Sequence, residues 1–156
     1  MKKQHRYFTK TIWTGNRGEG TKTYRAYDRS YEIQIENKPT IKGSSDPAFL
    51  GDPTCHNPEE QPVAALSSCH LLWYLHLCTT EGIVVTDYKD EASGIMEENE
   101  DGSGQFTEVT LRPEVTIEKE EKIELANSLH KKAHALCFIA RSVNFPTHCE
   151  STIRTV

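Results

Sequence analysis

Apolar and polar residues alternate along the first third of the chain. Tyr31, Ile33 and Ile35 interleave with Glu32, Gln34 and Glu36, a period of two that predicts a half-buried strand. Residues 8–13 and 22–27 mix β-formers with polar residues in the same way and are read as two more strands. Residues 16–20 and 28–30 supply the turn chemistry between them. Residues 37–57 are rich in Pro, Gly, Ser and Asp and predict a long connection, a length of loop that is uncommon unless it carries function.

The pattern then changes. Asn57-Pro58-Glu59-Glu60 has an N-cap residue, a proline suited to the first helical position, and an acid where a capping box needs one. Pro62 complicates that start, because its ring clashes with the carbonyl four residues earlier; the helix begins either with a separate turn or at Pro62. From there to Cys78 the segment is apolar nearly all round, which predicts a helix covered on every side. Residues 61–80 carry no formal charge. Their Gln, Pro, Ser, His and Thr content nevertheless fits a buried helix better than a membrane span.

A second β block follows, at 83–88 and 93–96, closed by an acidic turn at 97–102. Val109, Leu111, Pro113, Val115 and Ile117 share one face and Thr110, Arg112, Glu114 and Thr116 the other, with Pro113 marking an edge or a bulge. Residues 119–143 predict a second helix. Leu125, Leu129, Leu136, Ile139 and Val143 form its apolar stripe, and Ala126, His130, Ala133, Cys137 and Ala140 lie beside it. Acids gather early in this helix and bases late, as the helix dipole favours. Residues 149–156 predict a last strand. Strands and helices do not alternate strictly, so the class is α+β, in a single domain spanning 1–156.

Composition narrows the function. The 156 residues carry a net charge of −5, which argues against a nucleic-acid or membrane-surface partner. The N-terminal stretch has no apolar h-region, and five cysteines without a framework spacing point to free thiols in a reducing compartment, the cytoplasm. No metal or other cofactor is expected. Cys55-His56, Cys69-His70 and His148-Cys149 bring zinc-type ligands together, but no C-x2-C or H-x3-H spacing supports a structural site.

Cys69 and Cys137 draw the eye because each sits among small residues, Ser67-Ser68-Cys69 and Ala133-His134-Ala135-Leu136-Cys137. Small neighbours let two helices approach closely, and a disulfide needs Cα atoms within roughly 7 Å. Free cysteine is also among the most buried and inert residue types, so the residues alone leave both readings open.

A resemblance weighs in. Asn57-Pro58-Glu59-Glu60 with Ala64-Ala65-Leu66-Ser67-Ser68-Cys69 resembles the signature of the OsmC/Ohr family, the osmotically inducible protein C and organic hydroperoxide resistance proteins. Ala133-His134-Ala135-Leu136-Cys137-Phe138-Ile139-Ala140 resembles the second cysteine motif of that family. The resemblance implies an OsmC-like fold, with two antiparallel β-sheets wrapped around central helices in an intertwined homodimer. It implies a cofactor-free peroxidase that reduces organic hydroperoxides to alcohols. In that scheme Cys69 becomes a sulfenate, Cys137 resolves it as a disulfide, and a small dithiol or lipoyl-type reductant reopens the bond. It further implies an arginine that holds the thiolate and a glutamate that orients the arginine. Glu59 matches the glutamate and Arg17 is the candidate arginine, with Arg25 and Arg29 as competitors; Gln61 and Pro62 depart from the apolar residues expected there.

Physical chemistry asks for that cation independently. The thiolate is the nucleophile, Cys69 lies about two turns into its helix where the dipole has faded, and burial alone opposes ionisation. Leu72, Trp73, Tyr74 and Leu75 are expected to wall the site, which suits a bulky alkyl or lipid hydroperoxide. Cys55, Cys78 and Cys149 are read as bystanders, and His70, His76 and His134 as hydrogen-bonded histidines near the pocket. Two rivals remain: an OsmC-like protein without enzymatic activity that holds a small apolar ligand or serves in stress, and a hydrolase using Cys69 with a histidine.

Overall fold

The computed structural model of the chain describes residues 3–156 and divides into two compact units, one ending at Gln61 and the other comprising Pro62–Val156. The first unit holds strands β1 (Lys10–Trp13), β2 (Tyr31–Gln34) and β3 (Ile41–Gly43) in one antiparallel sheet of that order. β2 is the alternating segment anticipated above. β3 falls inside the stretch read as a connection, because three residues are too few to carry a periodic signal. Tyr31 lies opposite Gly43, and its ring lies over the glycine, where a Cβ would come within 2.2 Å of it and make the ring shift.

Residues 22–27, expected to be a strand, form turns and bends up to Ala26, and only Tyr27 makes a bridge, antiparallel to Asn16. Side chains take the backbone bonds that a ladder would have used. Arg17 donates to the carbonyls of Ala26 (3.3 Å) and Arg25, and in the turn just before, the Asn16 carboxamide oxygen accepts from the amides of Gly18 (2.8 Å) and Gly20 (3.0 Å), both glycines standing at positive φ. Arg29 donates to the carbonyls of Tyr27 and Tyr24, each at 2.6 Å, and its guanidinium lies 4.3 and 4.2 Å from the centres of the Tyr24 and Tyr27 rings.

Helix α1 spans Glu60–Thr80. The capping box is present in both directions: the Glu60 amide donates to Asn57 Oδ1 at 2.8 Å and the Asn57 amide to Glu60 Oε2 at 3.3 Å. This resolves the Pro62 difficulty, since the carbonyl that its ring would meet belongs to Pro58, outside the helix. Asn57→Ala is expected to cost about 1 kcal/mol, read as a lower melting temperature with unchanged secondary structure.

The second unit contains β4 (Val85–Asp90), β5 (Ser93–Glu98), β6 (Gly104–Leu111), β7 (Pro113–Ile117), α2 (Ile123–Leu136), β8 (Thr147–Cys149) and β9 (Thr152–Thr155). These strands make two sheets, β4-β7-β9 and β5-β6-β8. The α+β class holds. The sheets number three among the described residues, and they are not purely antiparallel: β6 pairs with β8, and β7 with β9, in parallel. The 109–117 run is divided between the two sheets of this unit at Arg112, whose amide donates to the Asp90 side chain, at Oδ1 and 2.6 Å, rather than to a backbone carbonyl. Its expected inner face is nonetheless buried throughout, from Val109 and Leu111 to Pro113, Val115 and Ile117.

α1 packs against both sheets. Tyr74, Leu77 and Cys78 join Val115, Ile117, Ala126, Leu129 and Ala133 in one buried cluster. Leu66 joins Val109 and Leu111 in a second. Within the single chain one face of the helix stays open: Leu72 is 67% exposed.

Candidate active site

Cys69 sits near the middle of α1, and Cys137 at the C-terminal end of α2. The second helix was expected to run to 143, but it stops at Leu136. Cys137 is its C-cap in an extended conformation, and Ala140–Ser142 forms a separate 3-10 turn. The sulfur itself helps to end the helix. Cys137 Sγ accepts the Ala140 amide at 3.4 Å, and the Cys137 amide closes the last turn on Ala133 and His134.

Cys137 lies near Cys69. Both are free thiols, Cys69 half-buried and Cys137 1% exposed. Burial pushes the Cys137 thiol up to about 11, and the neighbouring Cys69 pushes in the same direction, so Cys137 is protonated at neutral pH.

One face of α1 leads away from Cys69. Leu72, Trp73 and His76 follow it at the three-, four- and seven-residue steps that share a helix face, and they line a cavity of about 250 Å³. Phe138, next to Cys137, sets its ring edge-on to Trp73 at 5.7 Å between centres, and His76 meets Trp73 at the same distance. Leu72 and Trp73 thus stand where they were expected. Tyr74 does not: it is fully buried in the core and stacks on His130 at 3.9 Å, because it points about 100° round the helix from Trp73.

The two other expected residues lie in the first unit. Arg17 is half-exposed and bound to its own loop, donating to the carbonyls of Ala26 (3.3 Å) and Arg25 and pairing with Asp28 at 3.6 Å. Arg29 is committed to the tyrosine carbonyls described above. Glu59 is half-buried, and its Oε2 is buried without a hydrogen-bond partner among the described residues. Within the second unit, no arginine hydrogen-bonds Cys69.

The histidines divide. His76 faces the cavity and His134 is exposed, whereas His70 turns inward, 1% exposed, to meet His130, 4% exposed. Their ring nitrogens Nε2 and Nδ1 lie 2.9 Å apart. Burial lowers both, His70 to about 4 and His130 to about 3. His130 had been placed beside the apolar stripe of the second helix without a role. A polar residue at a core-facing helical position was the signal that could have marked it.

A mixed α+β unit carries one cysteine in the middle of α1 and another at the end of α2. Comparison with known proteins shows where that fold belongs. The OsmC-like protein family matches over residues 51–152, and the chain belongs to it. It is similar to a solved OsmC-like protein of unknown function from Vibrio cholerae, at 30% identity and a TM-score of 0.85, with 96% of this chain and all of the other covered. It shares the fold of an organic hydroperoxide resistance protein from Elizabethkingia anophelis, at 17% identity and a TM-score of 0.71 over the full length of both chains. In sequence it is 25% identical to the uncharacterized protein YmaD of Bacillus subtilis, over 96% of this chain and 95% of that one. No helix among the described residues is long and apolar enough to cross a membrane.

Proposed function

We propose that the chain is a thiol peroxidase that reduces organic hydroperoxides, with Cys69 as the attacking sulfur and Cys137 as the resolving one. The observation that carries this reading is that Cys69 lies near enough to raise the Cys137 thiol, although the two are 68 positions apart in the sequence. The Cys69 thiolate attacks the O–O bond of ROOH, giving a sulfenic acid and, with a proton, ROH. The Cys137 thiol then condenses with the sulfenic acid, releasing water and forming the disulfide. An external dithiol restores both thiols. Cys137 suits the second role, since it holds its proton until a sulfenic acid forms beside it.

The cleft lined by Leu72, Trp73 and His76 supports an alkyl or lipid hydroperoxide, because its wall is largely hydrocarbon and aromatic. Peroxide treatment is expected to remove two hydrogens from the protein and to join the peptides carrying Cys69 and Cys137, as read by mass spectrometry. A protein that takes up apolar ligands in the cleft but forms no such link is instead a non-enzymatic binder.

Arg17 is proposed as the cation for the thiolate, and Glu59 as the group that orients it. The unpartnered Glu59 oxygen supports this, since an arginine is the donor that a buried carboxylate best accommodates. Arg17→Ala is expected to lower kcat/KM by roughly 10- to 1,000-fold with little change in melting temperature, because Arg17 is half-exposed. An unchanged rate would move the role to Arg25.

The chain is further proposed to act as a homodimer. The support is the apolar surface left uncovered on α1 and beyond α2, where Leu72 and Phe138 are 67% and 66% exposed. Light scattering is expected to give twice the chain mass, and Phe138→Glu to shift it towards the monomer.

A further inference from the structure

Behind α1, about 100° round the helix from Cys69, a second cluster has no part in the reaction above. His70 Nε2 lies 2.9 Å from His130 Nδ1 and 3.9 Å from Cys149 Sγ, and the three residues offer ligand atoms within 4.8 Å of one another. They come from three elements, α1, α2 and β8. We propose that His70, His130 and Cys149 form a buried binding site for a d10 transition-metal ion, Cu+ or Zn2+, distinct from the Cys69–Cys137 pair.

The donor set selects the ion. One thiolate and two imidazoles are soft to borderline ligands, which favour copper and zinc over calcium or magnesium, and a trigonal His2Cys arrangement is a copper-type geometry. The spacing also fits. With metal–nitrogen bonds of about 2.0 Å and a metal–sulfur bond of about 2.3 Å, trigonal angles put the two nitrogens about 3.5 Å apart and each nitrogen about 3.7 Å from the sulfur. The nitrogen–sulfur distance already stands near that value. The rings need to part by roughly 0.6 Å, which exchanges the hydrogen bond between them for two metal bonds.

Protonation is favourable as well. Both imidazoles are neutral at neutral pH because burial opposes their charged forms, and only neutral imidazole can ligate. Cys149 is held as a thiol by its burial and by the nearby Asp90 and Glu150 charges, so binding releases its proton to solvent. Asp90 is anchored within this unit, its Oδ2 accepting from Ser67 at 2.5 Å and its Oδ1 from the Arg112 amide. Its charge is felt by His70 and by Cys149 alike, and it offsets the added positive charge of a metal.

The surroundings point the same way. Among the described residues, the buried side-chain polar atoms without a hydrogen-bond partner include Tyr74 Oη, Tyr88 Oη, His130 Nε2 and Thr147 Oγ1. Tyr74 stacks on His130 and meets Tyr88, and Thr147 precedes Cys149 by two residues on β8, the step that shares a strand face. Buried polar atoms are seldom left unpaired. Their concentration around one His2Cys cluster is what a site for a polar guest produces.

The test is titration of the chelator-treated full chain, kept reduced by a non-thiol reductant, with Cu+ and separately with Zn2+ against a chromophoric competitor. One ion per chain is expected. The affinity should fall at least a hundredfold in Cys149→Ala and in His70→Ala, and should persist in the Cys69→Ser/Cys137→Ser double variant. X-ray absorption of the loaded wild-type chain should show one sulfur and two imidazole nitrogens, a readout that stands even if a histidine variant fails to fold. No uptake of either ion overturns the proposal. So does uptake that survives Cys149→Ala and is lost in the double variant, or a shell of two sulfurs, since either places the metal at the redox pair. Hydroperoxide turnover enters none of these readouts, so this site and the peroxidase reading stand or fall separately.

Discussion

Cys69→Ser is expected to abolish hydroperoxide turnover, lowering it by roughly a thousandfold or more, while Cys137→Ser is expected to pass through one half-reaction and stop. The asymmetry follows from the geometry. A hydroxyl at 69 is too weak an acid to supply an anion at neutral pH, so no O–O bond is broken. A hydroxyl at 137 leaves the attacking sulfur untouched but cannot condense with the sulfenic acid. Trapping with a dimedone-type reagent should therefore label Cys137→Ser after one equivalent of cumene hydroperoxide, and leave Cys69→Ser unlabelled. Both variants should keep the wild-type fold, since serine for cysteine changes little volume. Cys55→Ser, in the first unit, should behave as wild type throughout. Full turnover by Cys69→Ser would remove the proposed reaction altogether.

Acidification is expected to unfold the protein steeply below about pH 6.5 through His70 and His130. In the unfolded chain both titrate near 6.5. In the folded chain burial holds them at about 4 and about 3. Between those limits the unfolded state binds more protons than the folded one, so stability is fully present above 6.5 and falls as the pH drops towards 4. Each histidine costs at most about 1.4 kcal/mol per pH unit in that window. Two such groups across two units or more reach the scale of a whole domain's stability, about 5–15 kcal/mol. Urea midpoints at pH 7, 6 and 5 should fall with increasing steps. A pair of uncharged replacements that preserves the fold, His70→Gln with His130→Gln, should flatten the trend. A profile that stays level from pH 7 to 5 in the wild-type chain would show that the pair protonates freely in the folded state.

Much of this was legible along the chain. The strict alternation at 31–36 is a local signal and became β2. The Asn57–Glu60 capping box depends on residues three apart and formed as the sequence implied. The inner face of 109–117 is set by a period of two, and its residues are buried whichever sheet they join. The two cysteine motifs named the family, and Leu72 and Trp73 followed from their helical spacing after Cys69.

What escaped was set by side chains that bond backbone groups and by packing. The 22–27 segment has strand composition, but Arg17 and Arg29 take its carbonyls and hold it as turns. The second helix has periodic residues beyond Leu136, yet it ends there, and the Cys137 sulfur takes an amide that the helix would have used. The parallel pairing of β8 and β9 joins segments about 40 residues apart, a choice made by the sheets and not by either strand.

The sequence by itself determined the local alphabet of this protein: where the chain alternates, where it coils with a 3.6-residue period, where a helix is capped, and which two cysteines sit among small residues. Only the tertiary structure decided which of those residues meet. It brought Cys137 near Cys69, turned His70 away from Cys69 although they are adjacent in sequence, and brought His130 and Cys149 to His70 from two other elements. The physical reason is range. Periodicity and capping act over a few residues and leave a trace in the local sequence, whereas a thiol's proton affinity and a histidine's burial are set by groups that only packing brings near.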